Sequence, residues 1–171
     1  QGYKLSIGHD DMGMELDFKN EVPGFVLGDG KAVFGSSGEK FFYINYPGPR
    51  PVVSGHFIVK GEKVPVKGWV YIDHSLSNSN PADFEEVWHN IKFHSEDYTV
   101  LVSSFTTPEK YEGDFSFGVI TDDEKVLCSF TDVRVREENV KVDPESGKPY
   151  PAKVRYKLAG DDCSASAEID T

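Results

Sequence analysis

The sequence predicts an all-β fold, built as an antiparallel barrel or a strongly bent sandwich, with under about a tenth of the chain in helix. Three observations lead there. The 171 residues include 16 glycines and 10 prolines, which interrupt the chain at short intervals. Between the interruptions lie short runs rich in Val, Ile, Phe, Tyr and Thr, many alternating apolar with polar. No stretch shows the three-to-four-residue apolar spacing of an amphipathic helix.

Taken in order, the first runs are KLSI (4–7) and MELDF (14–18). Residues 1–20 are expected to be a lead-in strand, such as would end a preceding domain, ahead of one β domain over 21–171. The next expected strands are KFFYINY (40–46), VVSGHFIV (52–59) and VKGWVYI (66–72). GDGK (28–31) and VKGEK (59–63) have the Gly-containing chemistry of tight hairpins. NYPGPRP (45–51), with three prolines, cannot be an interior strand. NSNPADFEE (78–86) allows one short helical turn. Asn80 would cap it, Pro81 would take its first position, and Glu85 or Glu86 would fall in its first turn. WHNIKF (88–93), YTVLVSSF (98–105), DFSFGVI (114–120), KVLCSF (125–130) and DVRVRE (132–137) continue the series. A polar connection, VDPESGKPYP (142–151), leads to AKVRYKL (152–158) and SASAEI (164–169).

Charge and composition narrow the function. The formal net charge is −11, from 29 acids and 18 bases. Nucleic acid is not an expected partner, because phosphate binding needs clustered Lys and Arg. Docking on anionic lipid by charge alone is disfavoured for the same reason. No window holds the 18 or so consecutive apolar residues of a spanning helix. The chain opens at Gln1 with no charged-then-apolar leader and stops inside an alternating pattern, so a fragment is expected. Cys128 and Cys163 belong to no metal-binding spacing, and no N-x-S/T acceptor site occurs. Both thiols are expected free, in a reducing, cytoplasmic setting. No metal and no cofactor are expected.

The stretch GWVYIDHSLSN (68–78) carries the candidate chemistry. Asp73, His74 and Ser75 cannot form a hydrolase triad among themselves, because neighbours on a strand point to opposite faces. A triad is assembled from distant parts of a chain, and no G-x-S-x-G elbow is present. Asp73 and Ser75 are expected to bond the backbone where a strand ends. Trp69, Tyr71 and Asp73 should share one face of that strand, and Val70, Ile72 and His74 the other. His89 and His94, five apart, should face opposite sides. Trp69 and Trp88 lie in apolar-flanked runs and are expected to be largely buried, Trp88 as a core anchor or as the stacking wall of a pocket. Tyr71, His74 and Trp88 are the candidate ligand-binding residues.

GWVYIDHSLSNSNPADFEEVWHNIKF resembles the signature of the AttH-like and carotenoid-hydratase-like lipocalin superfamily. There a Gly-led strand ends in Asp-His, and a Trp follows at the start of the next strand. Within it, the stretch from Pro23 to Val135 is similar to the fungal survival-factor family. PGFVLGDGKAVFG looks like that family's entry into its second domain. Trp88, Ser95, Tyr98, Thr106, Thr107, Pro108 and Tyr111 match its most characteristic segment. The resemblance implies a lipocalin-like barrel, a preceding lipocalin-like domain, and survival under oxidative stress. It also implies transport of a ceramide-like sphingolipid between internal membranes, with a location peripheral to Golgi or ER. The hydratase-like members have a Trp two residues after the His, where this chain has Leu76.

Three function classes follow. A lipid-binding module would use the aromatic lining, with Tyr71, His74 and Trp88 near its mouth. A hydratase- or cyclase-like enzyme acting on an isoprenoid or polyketide would use His74 as acid, supported by Asp73 and Tyr71. A structural half-barrel would leave the function to the preceding domain. Leu76 in place of Trp favours the carrier, with no catalytic residue.

Overall fold

A computed structural model describes residues 2–26, 30–83, 85–111 and 114–171. Fourteen strands carry the described chain: β1 (Gly2–His9), β2 (Met12–Lys19), β3 (Lys31–Phe34), β4 (Lys40–Gly48), β5 (Val52–Val59), β6 (Glu62–Trp69), β7 (Ile72–Ser77), β8 (Val87–His94), β9 (Thr99–Thr106), β10 (Asp114–Thr121), β11 (Val126–Phe130), β12 (Asp132–Val142), β13 (Pro149–Ala159) and β14 (Ser164–Asp170). The two single 3₁₀ turns, Pro81–Asp83 and Glu109–Tyr111, are the only helix among the described residues. The strands form four antiparallel sheets, ordered β1-β2-β5-β6, β3-β4-β7, β11-β10-β9-β8 and β12-β13-β14. Among the described residues the ladders do not close, so of the two expected architectures the chain takes the bent sandwich.

Alternation along β8–β11 explains the layering. Register places Trp88, Phe105 and Phe115 side by side, and likewise Lys92, Leu101 and Val119. That face packs against Phe34, Phe42, Ile44 and Tyr46 of the β3-β4-β7 sheet. The opposite face, through Val102 and Phe130, packs against Val133, Val154, Tyr156 and Leu158 of the β12-β13-β14 sheet. The β8–β11 sheet is therefore a middle layer with a core on each side. His89 and His94 lie on its opposite faces: His89 beside Glu137 (3.3 Å), His94 bonded to Thr99 Oγ1 (2.6 Å).

Local chemistry matches several expectations. Lys60 (φ 54°) and Gly61 (φ 79°) make the tight β5–β6 hairpin, both in the left-handed region that such turns require. Asn80 Oδ1 accepts the Ala82 N–H (3.1 Å), capping the turn that Pro81 opens. Ser95 Oγ accepts the Tyr98 N–H (3.0 Å) in the β8–β9 turn. Of the GDGK hairpin, Gly28 and Asp29 lie outside the described residues.

Four expectations are corrected. Asp73-His74-Ser75 does not end a strand. It sits inside β7, where Ser75 pairs with Ile44 and His74 with Asn45. VKGWVYI is likewise two strands: β6 stops at Trp69, and the Val70 N–H donates to Pro51 O (3.0 Å) as the chain turns from one sheet to another. No Gly or Pro marks that corner. Trp69 and Trp88 are not largely buried; they are 38% and 48% exposed. Each lies at or beside a sheet margin, where apolar flanks in sequence do not become neighbours on both sides in space. Cys128 and Cys163 are joined in a disulfide, with Cα atoms 6.2 Å apart. It links β11 to the β13–β14 turn. The chains approach so closely there that a Cβ on Gly160 would lie 2.0 Å from Ser129 O. Two cysteines 35 positions apart gave no sign of this, and the argument from free thiols to a reducing compartment falls with it.

Arg50, in the proline-rich stretch, is a buried cation. Its Nε donates to Asp123 Oδ1 (2.5 Å), Nη1 to Thr99 Oγ1 (2.8 Å), and Nη2 to the carbonyls of Ser95 (2.9 Å) and Glu96 (2.8 Å). The Trp69 ring covers it at 4.6 Å. The guanidinium thereby holds the β4–β5 connection, the β8–β9 turn and the β10–β11 turn together.

The β1-β2-β5-β6 sheet has one apolar face. Register aligns Leu5 with Leu16, Ile7 with Met14, and Met14 with Phe57, which faces Val64. Tyr3, Leu5, Ile7, Phe57 and Val64 on that face are exposed. Among the described residues, no helix is long and apolar enough to cross a membrane.

Candidate functional site

A pocket of about 150 Å³ opens between β4–β7 on one side and β8–β10 on the other. Its floor comes from inward positions of three strands: Phe42, Ile44 and Tyr46 of β4, Leu101 of β9 and Phe117 of β10. In each case the pleat turns alternate residues inward. Its rim is polar: Tyr71, Asp73 and Ser75 from the β7 side, Glu85 after the 3₁₀ turn, and Trp88, Asn90 and Lys92 from alternate positions of β8.

The hydrogen bonding is uneven. Tyr71 Oη donates to Asp73 Oδ2 (2.5 Å). Trp88 Nε1 donates to Ser103 Oγ (2.8 Å), which fixes the indole as one wall. Lys92 Nζ lies 4.2 Å from the Tyr71 ring centre. Tyr46 is 1% exposed, and its hydroxyl interacts with that of Tyr71 without meeting full hydrogen-bond geometry. Tyr71 is stacked obliquely beside it, with ring centres 5.8 Å apart. Glu85 Oε1 is buried and unpartnered.

Burial dominates the electrostatics. It pushes the Tyr46 phenol far above its ordinary range, with the Asp73 charge adding to the effect. Burial and the bond to Asp73 do the same to Tyr71. Both phenols stay protonated at any physiological pH, and Tyr71 serves as the donor to Asp73. Burial also raises the Glu85 carboxyl. Among the described residues, no group of three or more His, Cys, Asp or Glu could hold a metal ion.

The structure brings Tyr71 and Trp88 together at this pocket, with Asp73 on the same rim, bonded to Tyr71. It does not bring His74 there. His74 is exposed on the other face of β7 and is not part of the lining. Sequence reasoning did not single out Tyr46, Asn90, Lys92 or Ser103. The alternation of KFFYINY holds the signal for Tyr46, since it aligns with Phe42 and Ile44. The two β8 residues follow from Trp88 by the same period of two.

A profile of the Svf1 family matches residues 1–171. The ceramide-binding protein SVF1 of Eremothecium gossypii is 28% identical over 157 residues, which cover 88% of this chain and 40% of that protein. Its counterpart in Debaryomyces hansenii is 28% identical over 167 residues, 92% of this chain and 42% of its own. The chain thus spans about two fifths of the length of the curated relatives it matches. Among solved structures, a candidate AttH protein of Nitrosomonas europaea superposes with a TM-score of 0.68 at 18% identity, over 94% of this chain and half of that one. Kievitone hydratase of Nectria haematococca gives 0.61 at 19% identity, over 92% of this chain and 49% of that one. At these identities the solved structures show a shared lipocalin-like fold and nothing of activity.

Proposed function

This chain belongs to the Svf1 family, and from that premise we propose that it is a lipid-binding module whose cargo is a ceramide or a similar sphingolipid. The observation that carries the reading is the pocket between β4–β7 and β8–β10, with an apolar floor under a rim of hydrogen-bonding groups. Such a site desolvates hydrocarbon at about 0.8 kcal/mol per buried CH₂ and orients a polar end at the mouth. Tyr71 and Trp88 contribute to it; His74 lies outside it.

Size limits what the pocket takes. Sites that enclose a drug-sized ligand run to roughly 300–1,000 Å³. At about 150 Å³, this one accepts the polar end of a lipid and its first carbons. The remaining hydrocarbon is to be covered elsewhere, and a preceding lipocalin-like domain is part of the proposal. The exposed apolar face of the β1-β2-β5-β6 sheet is a surface such a domain would cover. Loading by transient contact with internal membranes belongs to the same reading.

The proposal is a carrier and not an enzyme. General acid–base catalysis works best with a pKa near the operating pH. Tyr46 and Tyr71 are moved away from that range. One observation supports a hydratase-like alternative: the raised Glu85 carboxyl on the rim, in a fold shared with kievitone hydratase. The test is titration of the delipidated chain with a fluorescent ceramide, run beside a hydration assay on an isoprenoid alkene. Saturable binding without turnover supports the carrier. Turnover abolished by Glu85→Gln replaces it with the enzyme.

A further inference from the structure

We propose that a second site lies on the other side of the middle sheet: a hydroxyl-lined cleft between β8–β10 and β12 that binds an uncharged, polyhydroxylated ligand, a sugar or a cyclic polyol. It stands apart from the lipid-binding reading, because the β8–β11 sheet separates this cleft from the pocket beside β4–β7.

The first ground is a break in an otherwise apolar face. On the side of the β8–β11 sheet that meets β12–β14, one end carries Ile91, Val100, Val102 and Phe130. The same alternation continues into His89, Ser104 and Ser116, which the register sets side by side on neighbouring strands. Polar side chains at positions that the pattern assigns to the core are unfavourable unless water or a ligand bonds them. Among the described residues, the hydroxyls of Ser104, Thr106 and Ser116 make no side-chain hydrogen bond. Ser103, one position along on the opposite face, is bonded by Trp88. The cleft these hydroxyls line measures about 630 Å³, inside the roughly 300–1,000 Å³ range of ligand sites.

The second ground is the chemistry of the lining. A hydroxyl both donates and accepts, so a row of them suits a ligand that does both. Glu137 Oε1 lies 3.3 Å from His89 Nε2, which leaves Oε2 as an acceptor. The His89 ring stands edge-on to the buried Tyr156 ring, with 6.2 Å between centres, and is held between the two layers. Arg134 commits Nε and Nη2 to Asp132 Oδ2 (3.2 and 2.9 Å) and keeps Nη1 as a donor. An anionic ligand would meet two carboxylates and a guanidinium already engaged. A cation would meet carboxylates already paired. Val87, Val133 and Val135 complete the lining. Their methyl groups contact the C–H face of a sugar ring while the polar groups take its hydroxyl edge.

The experiment titrates the 171-residue chain with maltose, myo-inositol and glucuronate and follows backbone amide shifts by two-dimensional NMR. Two variants accompany it: Ser104→Val, which extends the Val100 and Val102 pattern, and Glu137→Gln. Circular dichroism and urea melts confirm that each folds, and Ser104→Val should be at least as stable as the wild type. Maltose or myo-inositol should saturate with a Kd on the order of 1 mM. The shifts should centre on His89, Ser104, Ser116 and Val135. Glucuronate should bind at least about threefold more weakly than maltose, because its carboxylate meets Asp132 and Glu137. Ser104→Val should weaken the neutral ligand by about three- to tenfold, and Glu137→Gln by about threefold. A fluorescent ceramide titration should be unchanged in Ser104→Val. Absence of saturable shifts with both neutral probes, shifts centred elsewhere, or equal affinity in wild type and Ser104→Val overturns the site. Glucuronate binding as tightly as maltose overturns the assignment to uncharged ligands. A fall in ceramide affinity in Ser104→Val overturns the independence of the two sites.

Discussion

Replacing Arg50 tests the packing argument most directly. In Arg50→Met the side-chain volume is nearly kept and the charge is removed. Three buried or half-buried acceptors then lose their donor: Thr99 Oγ1 and the carbonyls of Ser95 and Glu96. Thr99 retains His94, so its loss is partial. The two carbonyls cost roughly 1 kcal/mol each, since the turn that carries them is partly wet. Loss of the stack on Trp69 adds about 0.5–1 kcal/mol. The pair with Asp123 adds little, because that carboxylate is 57% exposed and rehydrates. The relief of no longer burying a cation opposes these terms only in part. The expected net loss is about 3 kcal/mol. Arg50→Lys should recover less than half, because an ammonium cannot span acceptors on two turns. Asp123→Asn should cost under about 1 kcal/mol. Equilibrium urea unfolding followed by tryptophan fluorescence reads all three, with Trp69 reporting locally. If Arg50→Met lies within 1 kcal/mol of wild type, or Asp123→Asn is as damaging, the guanidinium is not the clamp described.

The other predictions rest on single features. Cys128 and Cys163 should react with a thiol reagent only after reduction, and Cys163→Ser should cost on the order of 3–4 kcal/mol from loop closure over 35 positions; two reactive thiols in the denatured, unreduced chain would refute the bridge. Trp88→Ala should cost only about 1–2 kcal/mol in urea unfolding, well short of a core tryptophan, because nearly half of the ring is already in water; a loss above 3 kcal/mol would place it in the core. Burial, then the charge of Arg50, lowers the His94 pKa. The folded state therefore binds fewer protons than the unfolded one, so stability present above the ordinary histidine pKa is lost as pH falls through and below it. His94→Gln should flatten that slope below about pH 6.5, and an unchanged slope would exclude His94 as its source.

Much of the architecture was legible in the chain because its signals are local. Turn residues at short spacing and period-two alternation define an all-β protein, and they act between neighbours in sequence. The Asn80 cap, the Lys60-Gly61 hairpin and the inward face of KFFYINY could all be read this way. The site residues Tyr71 and Trp88 were reached through a motif, and the others on β8 follow from alternation alone. What tertiary structure decided is which strands adjoin. The corner at Val70 and Tyr71 exists because Pro51 O accepts a hydrogen bond there, and it turns Tyr71 and Asp73 into the pocket while His74 faces out. Trp69 and Trp88 look like core residues in sequence, but they sit where one layer stops. Cys128 and Cys163 are bridged because β11 and the β13–β14 turn close on one another at Gly160. Tyr46 is buried only because two sheets meet over it. Burial and pairing depend on contacts between distant parts of the chain, and neither composition nor period records them.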